Sequence, residues 1–308
     1  MFFKPITAKN TERSDMMTYL SVTQMAQKLD VSERTVRHYC ACNKIKGAFL
    51  TGKTWNIPEN AVKPERINKK NSEPPNLLGI LKAEFNTLKK DGIYNKIQTE
   101  FTYSTNYIEG SKLTLEQTKH MYETGTIGAK SSAVNVFDVI EAVNHFKCFN
   151  MIIDNAEYKL TEKFIKTLHL KLKSGTTDLK GEYKKITNKA GKNETVSPKD
   201  VDAEIKKLLR TYNAKDEHTF EEIIDFHFQF EKIHAFQNGN GRVGRLIMFK
   251  ECLKNNIVPF IIDDSLKMLY LKGLSEWENE KNYLIDTCLS AQNKFKMYLE
   301  YYQVPYKN

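Results

Sequence analysis

Residues 63–76, Lys-Pro-Glu-Arg-Ile-Asn-Lys-Lys-Asn-Ser-Glu-Pro-Pro-Asn, hold three of the chain's eight prolines and one large apolar side chain, Ile67. A segment of that composition cannot bury enough apolar surface to offset the entropy lost on ordering it, so it reads as a solvated linker. It divides the 308 residues into a small front part and a long rear part and rules out one continuous core. The predicted organisation is a tail over 1–17, a small domain over 18–65, a linker over 66–78 and a main domain over 79–308.

With 40% hydrophobic residues the chain reads as globular, and no stretch approaches the roughly 20 apolar residues of a bilayer span. The opening Met-Phe-Phe-Lys-Pro-Ile lacks a signal peptide's apolar core and cleavage site, so the expected location is cytoplasmic, away from membranes. The five cysteines fit neither a disulfide framework nor a zinc site; only Cys40 and Cys42 lie close together. Residues 1–75 carry 13 Lys+Arg against 7 Asp+Glu, and the remainder 34 against 31. The front-loaded positive charge suggests nucleic acid contact there, a merely solubilising surface being the alternative.

The fold class expected is mainly α. Behind the linker, Leu115, Met121, Val134, Val139, Ala142, Val143 and Phe146 recur at helical spacing. Thr114-Leu115-Glu116-Gln117 fits a capping box and predicts a helix start. The one convincing β element in this part is Tyr183–Val196, predicted as a small hairpin turning near Lys189–Lys192.

In the front domain Ser21 is placed to cap a short helix, and Asp30-Val31-Ser32 to turn the chain into a second one. Met25, Leu29, Val31, Val36 and Tyr39 face inward, while Glu33, Arg34, Thr35, Arg37 and His38 fall on the outer face. Ala48–Pro58 reads as a hairpin wing with Lys53 at its tip and a Trp55-Asn56-Ile57-Pro58 anchor. The stretch resembles the winged helix-turn-helix domains of excisionases and MerR-type regulators. That resemblance implies DNA as a partner, contacted by Arg34, Thr35, Arg37, His38 and Lys53; a domain kept for protein contacts is the alternative.

The rear part contains Ile233-His234-Ala235-Phe236-Gln237-Asn238-Gly239-Asn240-Gly241-Arg242-Val243-Gly244-Arg245 between two apolar helical patterns. Gly239 and Gly241 allow close backbone approach, and loop amides at a helix N-terminus form a concave site for anionic oxygens. Arg242 and Arg245, three residues apart, can fork onto one phosphate chain. His234, just before the loop, can take a proton from a hydroxyl attacking phosphorus.

His234, Phe236, Gly239, Asn240, Gly241, Arg242 and Arg245 together resemble the Fic/death-on-curing signature. The resemblance spans roughly 80–290 and implies an all-helical domain with a small β-hairpin flap. It further implies that AMP passes from ATP to a protein Ser, Thr or Tyr hydroxyl, with the chain itself among the candidate targets. On that pattern His234 is the base, Phe236 anchors the loop, Gly239, Asn240 and Gly241 hold the α- and β-phosphates, Arg242 and Arg245 bind the outer phosphates, and Tyr270 lies near the adenine. The sequence departs from it at Ala235, where proline is usual, and at Asn238, where an acidic residue usually binds Mg²⁺ (or Mn²⁺); a neutral amide is a weaker ligand for a hard cation.

Thr105-Asn106-Tyr107-Ile108-Glu109-Gly110 resembles the family's inhibitory motif, which implies that Glu109, supported by Thr105, occupies Arg245. Gly181–Lys184 and the predicted hairpin resemble the flap that lines up a target segment, here Tyr183, Lys184, Lys185 and Ile186, by strand addition. His169 and His227 are assigned to packing or local hydrogen bonds. The reading is an auto-inhibited protein adenylyltransferase with a DNA-binding module. The alternatives are a DNA-binding regulator whose weakened Fic domain senses nucleotide, or a Fic-type phosphotransferase or deAMPylase. A homodimer is expected from the family.

Overall fold

The computed structural model describes residues 18–41, 44–64, 76–128, 134–190 and 193–306. The tail 1–17, Cys42, most of the linker, and Gly191 and Lys192 at the expected hairpin turn lie outside the described residues. The chain separates into two compact units, Met1–Ser72 and Glu73–Asn308.

The first unit runs β1 (Tyr19–Leu20), α1 (Val22–Leu29), α2 (Glu33–Ala41), β2 (Phe49–Thr51) and β3 (Thr54–Pro58). Ser21 accepts from the Gln24 amide while the Gln24 side chain returns to Ser21, satisfying donors that have no partner inside α1. Asp30 ends the helix in the left-handed region at φ 50°. The strands pair antiparallel in the order β1-β3-β2, with Tyr19 opposite Pro58 and Leu50 opposite Trp55. Met25, Val36, Tyr39 and Ile57 fill the core, and Val31 and Trp55 pack at its margin. Arg34, Arg37, His38 and Lys53 are exposed, and Thr35 is half-buried with its hydroxyl 2.8 Å from that of Ser32.

The second unit is mainly helical: α3 (Leu77–Thr87), α4 (Ile93–Ile108), α5 (Leu115–Thr124), α6 (Val136–Asp154), α7 (Glu162–Leu172), α8 (Val201–Tyr212), α9 (Phe220–Ile233), α10 (Asn240–Lys254), α11 (Lys267–Glu276) and α12 (Asn282–Tyr301). The Thr114–Gln117 capping box forms at the start of α5. Helix α10 is the central element: Arg242 through Leu253 are all buried, so it has no solvent face, and it packs against α4, α6, α7 and α9. Its apolar residues serve two cores. Val243, Leu246, Ile247, Phe249 and Leu253 join Phe101, Phe149 and Phe236, while Met248 and Cys252 join Tyr270, Trp277 and Leu284.

The hairpin is shorter than the 183–196 pattern predicts. Its strands are β4 (Lys189–Ala190) and β5 (Asn193–Glu194), paired antiparallel, and 183–188 is not in a strand. The reason is local. The Lys184 amide donates to the Ala235 carbonyl at 2.9 Å, and Asn188 Nδ2 donates to the Phe236 carbonyl at 2.8 Å. This stretch lies along the 233–236 loop instead of extending as a free strand.

Candidate active site

Helix α9 ends at His234, whose backbone is left-handed at φ 51°, ψ 57°. That conformation is disfavoured for a residue with a Cβ, and it turns the chain sharply into the loop. His234 Nδ1 lies 3.2 Å from the Glu231 carbonyl oxygen, so Nδ1 carries the proton and Nε2 keeps the ring's lone pair. Burial lowers the imidazole pKa below its ordinary value; the Glu231 carbonyl acts in the opposite sense and the Lys184 ammonium in the same sense. A neutral ring with a lone pair at Nε2 can accept a hydroxyl proton.

The loop is fixed from beneath. Phe236 is fully buried and stacks on the His169 ring with centroids 3.8 Å apart. His169 Nε2 bonds the Asn238 carbonyl oxygen at 3.0 Å, and its Nδ1 accepts from the Gly181 amide at 2.9 Å. One histidine thus ties the loop to the segment before the hairpin. Asn240, expected to hold phosphate, bonds the loop here: its Oδ1 accepts from the Phe236 amide at 2.8 Å and its Nδ2 donates to the Phe236 carbonyl at 2.7 Å. Its side chain, 1% exposed, locks the loop and faces inward. Gly239, at φ 84°, precedes α10, and a Cβ at Gly241 would lie 2.5 Å from Glu109 Oε1, so a side chain there would displace the Glu109 carboxylate.

Arg245 is 3% exposed and each of its three side-chain nitrogens is engaged. Nη2 bonds Glu109 Oε1 at 2.7 Å and the Thr105 carbonyl at 3.1 Å; Nε bonds Thr105 Oγ1 at 2.6 Å, and Nη1 bonds the Tyr270 hydroxyl at 3.3 Å. Burial alone would raise the Glu109 pKa, but Arg245 and Arg242 outweigh it and hold the carboxylate below its ordinary value. Tyr270, expected beside an adenine, is an internal residue of α11. It is 1% exposed, in the second core, with its hydroxyl 2.7 Å from His227 Nε2 and supporting Arg245.

Arg242 is also held, by a residue the motif reading does not contain. Glu141 on α6 pairs with Arg242 Nη1 and with Lys173 Nζ. Arg242 Nη1 further donates to Asn106 Oδ1 at 3.1 Å, while its buried Nε has no partner. Glu231, below His234, is a second addition: burial pushes its carboxyl up to about 8.

The expected flap residues divide. Tyr183 is half-buried with its ring 5.7 Å from that of Phe236. Lys184 is buried, donating through Nζ to Asn188, Thr195 and the Ile233 carbonyl, and burial lowers its pKa to about 8. Only Lys185 and Ile186 face solvent.

The donors at Asn238 do not suit a divalent cation. This exposed residue offers an amide Oδ1 already 3.5 Å from the Arg242 guanidinium, and its carbonyl accepts from His169. A hard cation needs anionic oxygen and is repelled by a neighbouring guanidinium. Among the described residues no group of three or more His, Cys, Asp or Glu side chains could hold a metal ion, and no helix is long and apolar enough to cross a membrane.

Residues 159–252 match the Fic/DOC family, so the second unit carries a Fic/DOC domain. The chain is similar to the protein adenylyltransferase fic-1 of Caenorhabditis elegans, 23% identical over 205 residues, which cover 63% of this chain and 40% of that protein. It is similar also to the protein adenylyltransferase Fic of Nematostella vectensis, 24% identical over 52% of this chain and 38% of that protein. The matched part is therefore about two fifths of the length of each relative. A crystal structure of a Fic-domain-containing signaling protein from Bacteroides thetaiotaomicron superposes with a TM-score of 0.59 at 25% identity, covering 72% of this chain and 94% of that one. A structure of a C. elegans Fic-1 variant gives 0.60 at 16% identity, covering 73% and 71%, and speaks for the fold alone.

Proposed function

We propose that the second unit is a protein adenylyltransferase restrained by its own Glu109. The observation that carries the reading is the Glu109–Arg245 pair, in which a partly exposed carboxylate fills the fork of a buried arginine near the start of α10, with His234 on the same loop. An arginine whose fork is filled by a carboxylate is a ready site for a phosphate once that carboxylate leaves. The curated relatives named as protein adenylyltransferases support ATP as the substrate and a protein hydroxyl as the acceptor.

On this reading ATP lies over Gly239, Gly241 and the α10 N-terminus, with Arg242 and Arg245 on its outer phosphates. His234 Nε2 takes the proton from the acceptor hydroxyl as that oxygen attacks the α-phosphorus. The bond from the α-phosphorus to the bridging oxygen breaks, pyrophosphate leaves and the proton passes from His234 to solvent. Exposed Lys185 and Ile186 are the flap positions able to meet an extended target segment, whereas Tyr183 and Lys184 brace the loop.

The test is intact mass after incubating Glu109→Gly protein with ATP, beside a double variant that also carries His234→Ala. A gain of one AMP that requires His234 is expected. A phosphate-sized gain would move the assignment to phosphotransfer, and no gain would move it to nucleotide sensing. For the first unit we infer DNA contact through Arg34, Arg37, His38 and Lys53, a reading supported by their exposure around α2 and the β2–β3 turn.

A further inference from the structure

Resting on the nucleotide reading, we propose that this cradle neutralises the triphosphate with Lys173 and Arg242, with no protein-bound divalent cation, so that ATP binds equally well when metal is removed. Position 238 offers no anionic oxygen. Its amide lies beside the Arg242 guanidinium, and its carbonyl faces a His169 ring that burial keeps neutral, with a pKa near 4.

A cation is nevertheless built in under the same loop. The aliphatic stem of Lys173 supports Gly239, where a Cβ would meet Lys173 Cδ at 3.3 Å, and its ammonium pairs with Glu141. Glu141 shares its charge with Arg242, so two buried cations face one carboxylate and the trio carries a net +1. An Asp at 238 with bound Mg²⁺, beside Arg242 and Glu141 but without Lys173, would leave the same net +1. Lysine thus matches the charge that the acidic residue and metal would contribute together.

Arg242 Nε, a buried donor without a partner, gives the excess charge a direction. A guanidinium buried beneath an anion-binding loop with its Nε unfilled is poised for an oxygen the protein does not supply. Lys173 also remains with Glu141 as a counter-ion when Arg242 turns towards phosphate, so the carboxylate is never left buried alone.

Calorimetric titration of Glu109→Gly protein with ATP, in MgCl₂ and in EDTA, tests the proposal without relying on turnover. The two dissociation constants should agree within about threefold. In Asn238→Asp, a change at an exposed position, EDTA should weaken binding by about tenfold. Lys173→Met, checked for folding by circular dichroism, should weaken binding in EDTA by about tenfold, and Lys173→Arg should restore it. A tenfold loss for the parent in EDTA would overturn the proposal. So would a folded Lys173→Met protein that binds in EDTA as tightly as its parent. No binding in either buffer would instead remove the nucleotide reading on which the proposal rests, a result distinct from both.

Discussion

Each unit pairs an arginine with a glutamate, and the two pairs have opposite consequences. Arg37 and Glu33 meet at 3.0 Å one turn apart on α2, with 54% and 45% of their side chains exposed. Arg245 and Glu109 meet at 2.7 Å across 136 residues of sequence, with 3% and 27% exposed. A surface pair at that spacing contributes about 0.3–0.5 kcal/mol because water and salt screen it. Removing one partner of a buried pair costs about 3–5 kcal/mol where nothing replaces it, because the other charge stays desolvated. The first pair therefore decorates a face, whereas the second fills the fork of a buried arginine, and on the proposed reading an incoming phosphate takes the carboxylate's place.

The sharpest separation comes from His234→Ala in the Glu109→Gly background. Removing the base should lower initial self-modification rates by about 10²–10⁴-fold, measured by mass or label incorporation. ATP affinity should stay within about threefold of the parent, since the loop and arginines remain. Loss of ATP binding would mean that the histidine acts through the loop's conformation.

Next in size is Glu109→Gly by itself. Freeing Arg245 should raise ATP affinity by about 5- to 150-fold in calorimetry. Glu33→Ala should leave the thermal stability of the first unit changed by no more than about 0.5 kcal/mol. Equal effects from the two changes would erase the contrast between the pairs.

Glu231 extends the comparison to pH. Its folded carboxyl titrates at about 8, well above its ordinary value of 4.5. Between those values the unfolded chain gives up a proton that the folded protein keeps, so wild-type stability falls as pH rises through that window. Glu231→Gln should flatten this decline, by an amount on the order of a few kcal/mol at pH 8–9, in thermal unfolding at stepped pH. His234 points the same way in turnover. With its pKa lowered, the acidic limb of the rate profile should fall below the ordinary histidine value of 6.5.

The smallest effects belong to α2. Should the first unit bind DNA, Arg37→Ala should reduce the slope of log affinity against log salt by about one phosphate contact while leaving sequence preference intact. An unchanged slope would leave Arg37 a solvated side chain paired with Glu33.

What could be read from the sequence follows how local each interaction is. The loop declares itself because its glycines, histidine and arginines act within twelve consecutive positions, 234–245, and its neighbouring helices carry a clear apolar period. Ser21 and Thr114 are legible for the same reason, as caps whose partners lie three residues away. Glu141 is not: its partners Lys173 and Arg242 lie 32 and 101 residues downstream. The one trace it leaves is a charge inside the apolar run Val139-Ile140-Glu141-Ala142-Val143. The bonds of Asn240 to Phe236 and of Tyr270 to His227 are likewise not legible, since which way a side chain turns depends on packing that one sequence does not display. The hairpin shortened because the bonds of Lys184 and Asn188 to the 233–236 loop compete with strand pairing.

Glu109 occupies the C-terminal cap of α4 and is followed by Gly110 at φ 97°. A carboxylate at that end of a helix meets the negative pole of the backbone dipoles, so local electrostatics push against the place where Arg245 holds it. Helix ends also fray more readily than their middles, on timescales far shorter than unfolding of a domain. On the proposed reading the restraint on Arg245 therefore sits at a helix end, where the carboxylate and the backbone dipoles oppose one another. Melting a single terminal turn would lift the carboxylate away while Ile93–Phe101 stays packed in the core. On the proposed reading the enzyme would then be set by how often one turn of backbone breathes, and a partner that grips the strip from Tyr107 to Ser111 could hold it either shut or open.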